Sequence, residues 1–237
     1  MIKAILFDMD GTLLPMDINK FTSRYFEEIG KYMYSYGYNP KELIKAIWMG
    51  TEAMVKNNGI QSNEDVFWKT FSSLIGFDAS FDIPLFTSFY MEKFDEIKSS
   101  CGYTEDASKL IEYLKEKKLE LILATNPLFP LIAQTKRLAW AGIKDENFSW
   151  ITSYENSHYC KPNLKYYEEI LSHFPYSPNE CLMIGNDVLE DMVAQKLGMQ
   201  VFLLTDCLIN KDNVDISVFP HGDYKALFCY LEKEIFI

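Results

Sequence analysis

The stretch IKAILFDMDGTLL, from Ile2 to Leu14, decides the fold. Ile2 to Phe7 is a short apolar run that ends in Asp8 and Gly11, which reads as a buried strand entering a loop. Similar runs return much later, at Leu119 to Ala124, Cys181 to Ile184 and Gln200 to Leu204, with a weaker one at Phe148 to Thr152. Helical spacing fills the gaps between them. Thr104 caps a predicted helix through Lys117, with Leu110, Ile111 and Leu114 on one face. Further helices are expected at Leu128 to Ala141, Leu164 to His173, Val188 to Leu197 and Tyr224 to Lys233. Short apolar strands alternating with helices predict an α/β fold, a parallel sheet covered on both faces.

The first strand breaks that rhythm. Between Pro15 and about Ser100 no strand pattern occurs, and four helices are expected instead, at Ile18 to Tyr36, Pro40 to Lys56, Ser62 to Leu74 and Leu85 to Lys98. Asn39-Pro40 supplies a cap and a first-turn proline, Ser62 with Asp65 resembles a capping box, and Gly37, Gly59 and Gly76 read as stops. The expected division is a core of residues 1–15 plus 100–237 and a helical insert of residues 16–99. This insert holds 17 of the chain's 36 aromatic residues. Most should fill its own core, and a few should line a pocket facing the sheet.

Composition narrows the partners. The 237 residues include 23 basic and 34 acidic side chains, a formal charge of −11, and the only arginines are Arg24 and Arg137. A duplex nucleic-acid binder spreads cations over one face, so no nucleic-acid partner is expected, and a negative field disfavours an anionic membrane surface. Leu121 to Thr135 is too short to span a bilayer and contains two prolines, and Asp8 interrupts the N-terminal apolar run too early for a signal-peptide core. The five cysteines are odd in number, widely spaced and without a CxxC pair, so neither a zinc site nor a disulfide framework is indicated. Cys181 reads as a buried, reduced thiol. A reducing cytoplasm is the expected home.

The chemistry sits at strand ends. Ligands of a doubly wound sheet bind beyond the carboxyl ends of its strands, where Asp8-Met9-Asp10-Gly11-Thr12 presents two acids from one exit. Carboxylates this close repel, so a cation or a shared proton is expected between them. Thr125-Asn126-Pro127 ends the next strand with a hydroxyl and free N–H groups suited to an anion. Lys161-Pro162 precedes a helix. Ile184-Gly185-Asn186-Asp187 ends another strand, with Asp191 one turn further on. Such clustered oxygen donors suit Mg2+, which takes few protein carboxylates and keeps water and phosphate as its other ligands.

Taken together, these motifs resemble the haloacid dehalogenase-like (HAD) superfamily over essentially the whole chain. The resemblance rests on DMDGTLL, the Thr125-Asn126 strand end, Ser153-x-Glu155 leading to Lys161-Pro162, and GNDVLED followed by Lys196-Leu197-Gly198-Met199. It implies a Rossmann-like doubly wound parallel sheet with an all-α helical cap over its active edge. It also implies a phosphatase acting on a small phosphorylated metabolite through an aspartyl-phosphate. Asp8 would be the nucleophile and Asp10 the general acid and base. Thr125 and the Asn126 N–H would hold phosphoryl oxygens, and Lys161 would offset negative charge. Mg2+ would bind Asp8, the Asp10 carbonyl and the Gly185-Asn186-Asp187 turn, with Asp191 supporting it. Two positions depart from the family pattern. Asn186 stands where Asp is common, leaving open whether Asn186 or Asp187 is the inner ligand, though Asp187 is expected to supply most of the charge. Asn163 stands where Asp is also common and reads as a helix cap.

Two other functions share these residues. A phosphomutase would use the same nucleophile and acid, and a phospho-accepting binding protein would hold phosphate without turnover. Asp10 argues against the dehalogenase branch and against phosphonate cleavage. His158 reads as a loop residue near the site and Arg24 as part of a solvated helix face.

Overall fold

The structure, a computed structural model, describes residues 1–236. Six parallel strands form one sheet in the order β3-β2-β1-β4-β5-β6. They are β1 (Ala4–Phe7), β2 (Glu120–Leu123), β3 (Trp150–Ile151), β4 (Cys181–Gly185), β5 (Gln200–Leu204) and β6 (His221–Gly222). β1 lies at the centre, with Phe7 opposite Leu123 on one side and Ile184 on the other. The expected α/β architecture is the observed one.

Alternation along the strands divides the core into two layers. Ile5, Phe7, Leu121, Leu123, Leu182 and Ile184 point to the face covered by α5 (Glu105–Glu116), α6 (Leu131–Trp140) and α8 (Tyr224–Tyr230). Ala4, Leu6, Ile122, Cys181 and Met183 point to the other, covered by α7 (Leu164–Ser172). Because both faces are packed, the strands read as continuous apolar runs.

The helical cap occupies the chain between β1 and β2. Its helices are α1 (Ile18–Tyr34), α2 (Pro40–Val55), α3 (Asn63–Ile75) and α4 (Ile83–Glu92). The predicted caps form: Asn39 accepts from Lys41 N at 3.0 Å and Ser62 from Asp65 N at 3.1 Å. The cap also meets the core loop that precedes Lys161. Asn63 N donates to Ser157 O and Glu64 N to Tyr154 O, both at 2.8 Å. Cys160 Sγ donates to Met54 O at 3.4 Å.

Several predicted elements are corrected. The helix expected from Leu85 to Lys98 divides, with α4 ending at Glu92 and a 3-10 segment running Phe94–Ser100. The helix expected from Leu128 begins at Leu131, because Leu128, Phe129 and Pro130 form a loop. The expected Val188 to Leu197 helix is a turn followed by 3-10 structure over Met192–Leu197. There the Asp187 carboxylate caps the turn, accepting from Leu189 N at 2.8 Å and Glu190 N at 3.0 Å, while Val188 N is held by Ile209 O at 3.0 Å and Ala194 N turns to Asp191 O in a 3-10 bond. β6 carries no apolar run and was not foreseen. No helix among the described residues is long and apolar enough to cross a membrane.

Candidate active site

Because all strands run the same way, Asp8, Thr125, Thr152 and Asn186 emerge at one edge of the sheet. Asp8 N extends the ladder to Ile184 O at 2.9 Å, and Ala124 N does so to Phe7 O at 2.7 Å. After Asp8 the chain folds into a compact loop in which Leu14 N donates to Met9 O at 2.9 Å and Gly11 N to Leu14 O at 2.8 Å. Gly11 has φ +90°, and a Cβ there would run into the Asn186 amide. Only glycine meets both conditions.

Lys161 is the electrostatic centre. Its residue is 1% exposed, and Nζ lies 2.9 Å from Asp8 Oδ1 and 2.6 Å from Asp191 Oδ1. Burial opposes the ammonium charge, but Asp191 and Asp8 outweigh it and hold the Lys161 pKa well above its usual range. Asp191 is fixed in turn by Asp187 N, which donates to Oδ2 at 2.9 Å. Gly185 makes room for it, since a Cβ at that position would collide with the Asp191 carboxylate.

Asn186 is joined to Asp8 through Thr12. Thr12 Oγ1 lies 2.9 Å from Asn186 Oδ1 and 3.3 Å from Asp8 Oδ2, bringing these two oxygens to one hydroxyl. Asn186 Nδ2 donates to Cys207 O at 2.7 Å, which fixes the amide's orientation. Asp187 instead spends one carboxylate oxygen on the following turn.

Thr125 is buried, and its carbonyl accepts from Thr152 Oγ1 at 2.7 Å and Tyr166 Oη at 2.8 Å. Asn126 Nδ2 donates to Glu190 Oε2 at 3.0 Å. Burial pushes the Glu190 pKa up to about 7 despite the opposing charge of Lys161. Asp10 Oδ1, Asn126 Oδ1 and Ser153 Oγ are buried without a hydrogen-bond partner among the described residues, as are Nε of Arg137 and Nε2 of Gln134 behind Asp10. Burial raises the Asp10 pKa, with Arg137 opposing the shift.

The donors are hard oxygens with an excess of carboxylate. No three His, Cys, Asp or Glu residues form a ready-made metal cage among the described residues. A cation that binds few side chains and keeps water fits this set, and Mg2+ is such a cation.

The model of the haloacid dehalogenase-like hydrolase family matches residues 5–204. The chain belongs to this family. Three solved structures share the fold of this hydrolase. One is a predicted phosphoglycolate phosphatase from Haemophilus somnus 129PT, 19% identical, covering 96% of this chain and 97% of that one at a TM-score of 0.58. A second is a HAD phosphatase from Thermococcus onnurineus, 16% identical, covering 98% of both chains at a TM-score of 0.57. The third is the Bacillus subtilis protein YfnB bound to magnesium, 18% identical, covering 99% of both chains at a TM-score of 0.55. No curated protein matches the sequence.

The hydrolase also carries site neighbours that the sequence reading passed over. Arg137, on α6, has no exposed surface and hydrogen-bonds both Asp10 and Gln134. Its signal was an arginine on the same helix face as Ala133 and Leu138. Glu190 carried no such signal, because its partner Asn126 lies in a different strand exit. His158 fastens its loop to α7 through Glu169, with Nδ1 2.6 Å from Oε1. Arg24 pairs with Glu27 and Glu28 on α1.

Proposed function

We propose that this HAD hydrolase is a Mg2+-dependent phosphatase that cleaves a small phosphomonoester through an aspartyl-phosphate on Asp8. In this reading residues 16–99 form the cap domain, over a core of residues 1–15 and 100–237. The observation that carries the proposal is the Asp8 carboxylate, paired with buried Lys161 at the strand edge where Asp10 keeps one oxygen without a partner among the described residues.

An Asp8 carboxylate oxygen attacks phosphorus, the P–O ester bond breaks, and the departing oxygen takes the proton from Asp10. Asp10 then accepts a proton from the water that attacks the phosphorus of the aspartyl-phosphate, returning free Asp8 and inorganic phosphate. Lys161 pairs with Asp8 and offsets phosphoryl charge, while Thr125 and the Asn126 N–H receive phosphoryl oxygens. Asp8, the Asp10 carbonyl and Asn186 are the ligand set we infer for Mg2+, with Asp187 and Asp191 holding the turn behind it. The bound ion would supply positive charge to the phosphoryl oxygens.

The test is phosphate release from a chromogenic phosphate ester, with and without EDTA, for the native chain and for Asp8→Asn and Asp10→Asn. Loss of turnover in all three altered conditions is expected. Turnover that survives Asp8→Asn would refute the covalent route. In a parallel incubation with a sugar phosphate, an isomer in place of inorganic phosphate would make the enzyme a mutase, and stable phosphorylation without release would make it a phosphate-holding protein.

A further inference from the structure

A cavity of about 220 Å3 lies where the cap meets the loop that leaves Thr125-Asn126. All four cap helices contribute to its wall, and the core adds Leu128, Phe129, Pro130 and Tyr154. It is therefore a space at the junction rather than a packing gap inside the cap. Ile18 and Trp48 stand at its rim, about half exposed, whereas Phe86 and Tyr90 are buried within it.

The lining is unusually uniform in chemistry. None of its residues is charged and none carries a carboxamide or imidazole. The Tyr25 and Tyr90 hydroxyls are 2.9 Å apart and satisfy each other. Thr22 and Tyr154 each add a hydroxyl to the lining, and the buried Trp68 indole N–H has no hydrogen-bond partner among the described residues.

The cavity also has a fixed relation to the acid. Its walls Phe129 and Phe21 have ring centres 4.7 Å and 5.8 Å from the guanidinium carbon of Arg137. The same guanidinium holds Asp10. In the proposed reaction Asp10 protonates the departing oxygen, so whatever is bonded to that oxygen lies beside Asp10. The two rings that lie against that guanidinium are also part of the cavity wall.

From this juxtaposition we propose that the leaving group of the ester is apolar and ring-bearing, and that it is seated in this cavity; the inference rests on the phosphatase reading above. An apolar cavity of about 150 Å3 accepts benzene, so this one has room for a ring with a short substituent. A sugar would strip water from several hydroxyls and meet few groups able to replace it, which is strongly unfavourable. The spare Trp68 N–H suits a single acceptor, such as an ether or carbonyl oxygen, on the ring.

The experiment compares kcat/KM with Mg2+ for 2-phenylethyl phosphate, ethyl phosphate and glucose 6-phosphate. All three leave as primary alcohols, so differences report recognition rather than leaving-group reactivity. Burial of a Phe-sized group predicts roughly a 10- to 100-fold preference for 2-phenylethyl over ethyl phosphate, with glucose 6-phosphate no better than ethyl. Thr51→Phe, which fills the cavity, should shrink the phenylethyl-to-ethyl ratio at least tenfold in protein whose circular dichroism is unchanged. Should that variant not fold, the native chain's ratio alone decides. Equal rates for the phenylethyl and ethyl esters, or a preference for glucose 6-phosphate, would overturn this inference and leave the phosphatase intact. Absence of turnover on every ester would instead remove the phosphatase reading itself.

Discussion

Arg137 presents no surface to solvent, and its guanidinium closes on the Asp10 carboxylate from a helix 127 positions further along the chain. Phe129 and Phe21, which also line the cavity between cap and core, lie over the guanidinium. Gln134 adds a second hydrogen bond. Arg137 is thus a positioning residue: it fixes which way Asp10 points.

Removing one partner of such a pair costs more than the pair contributes, because the other charge stays desolvated. Arg137→Leu should lower unfolding free energy in urea by about 3 kcal/mol, the low end of the usual range, since the Asp10 side chain keeps a quarter of its surface exposed. Adding Asp10→Asn to Arg137→Leu should recover more than about 1 kcal/mol. Strict additivity of the two substitutions would show that the side chains are not coupled. In turnover, Arg137→Leu should lower kcat while leaving KM within about twofold, as expected for a lost orientation of the acid.

Gly185 offers a steric prediction. Its position leaves no room for a methyl group beside the Asp191 carboxylate, which anchors both Lys161 and the Asp187 N–H. Gly185→Ala therefore forces Asp191 aside or strains β4. Overpacking of this kind costs about 1–3 kcal/mol, which for a chain of this size lowers Tm by roughly 3–10 °C. Turnover should fall at least tenfold because Lys161 loses its second anchor. An alanine variant with native Tm and native kcat would mean that the close approach does not matter.

How much of this was readable beforehand follows the range of the interactions. β1, β2, β4 and β5 were legible because strands buried on both faces must be apolar throughout, a property each carries locally. Helix caps such as Asn39 and Ser62 were legible for the same reason, their partners lying two or three residues away. The segment after Asp187 departs from a helix because Val188, Met192 and Leu197 only approximate helical spacing, and a distant loop holds Val188 N through Ile209 O, a contact that no local pattern signals. Asp8, Thr125 and Asn186 follow separate strands, so parallel topology was enough to expect them at one edge, whereas Lys161 stands ten residues beyond β3 and was expected there only from the family resemblance. The Arg137–Asp10 and Asn126–Glu190 contacts depend on how a helix and a turn pack against that edge. No local pattern encodes such packing.

The pH dependence of stability should show a contribution from Glu180. Lys3 hydrogen-bonds its carboxylate, with Ser177 assisting, and the pKa falls from its ordinary 4.5 to about 2. A depressed carboxylate stabilises the folded state above its unfolded pKa and loses that contribution as pH falls through the folded value. Glu180→Gln should therefore melt below the native chain at pH 7, and the gap should close between pH 4.5 and pH 2. A gap that stays constant over that window would assign the effect to packing rather than to charge.

Asn186 is the position where the proposed metal set can be strengthened. Its amide oxygen shares Thr12 Oγ1 with Asp8, while its NH2 group donates to Cys207 O. Asn186→Asp would give Mg2+ a second carboxylate beside Asp8, so half-maximal activation should need roughly tenfold less Mg2+. The same change costs the metal-free protein stability, because two carboxylates then crowd Thr12 and the new oxygen faces the Cys207 carbonyl without a proton between them. Melting in EDTA should consequently drop by several degrees relative to the native chain, and saturating Mg2+ should restore most of the loss by binding only the folded state. If activation by Mg2+ and melting in EDTA are both unchanged, Asn186 is not a ligand. The Asp187 carboxylate would then have to give up its hold on Leu189 and Glu190 to take that place.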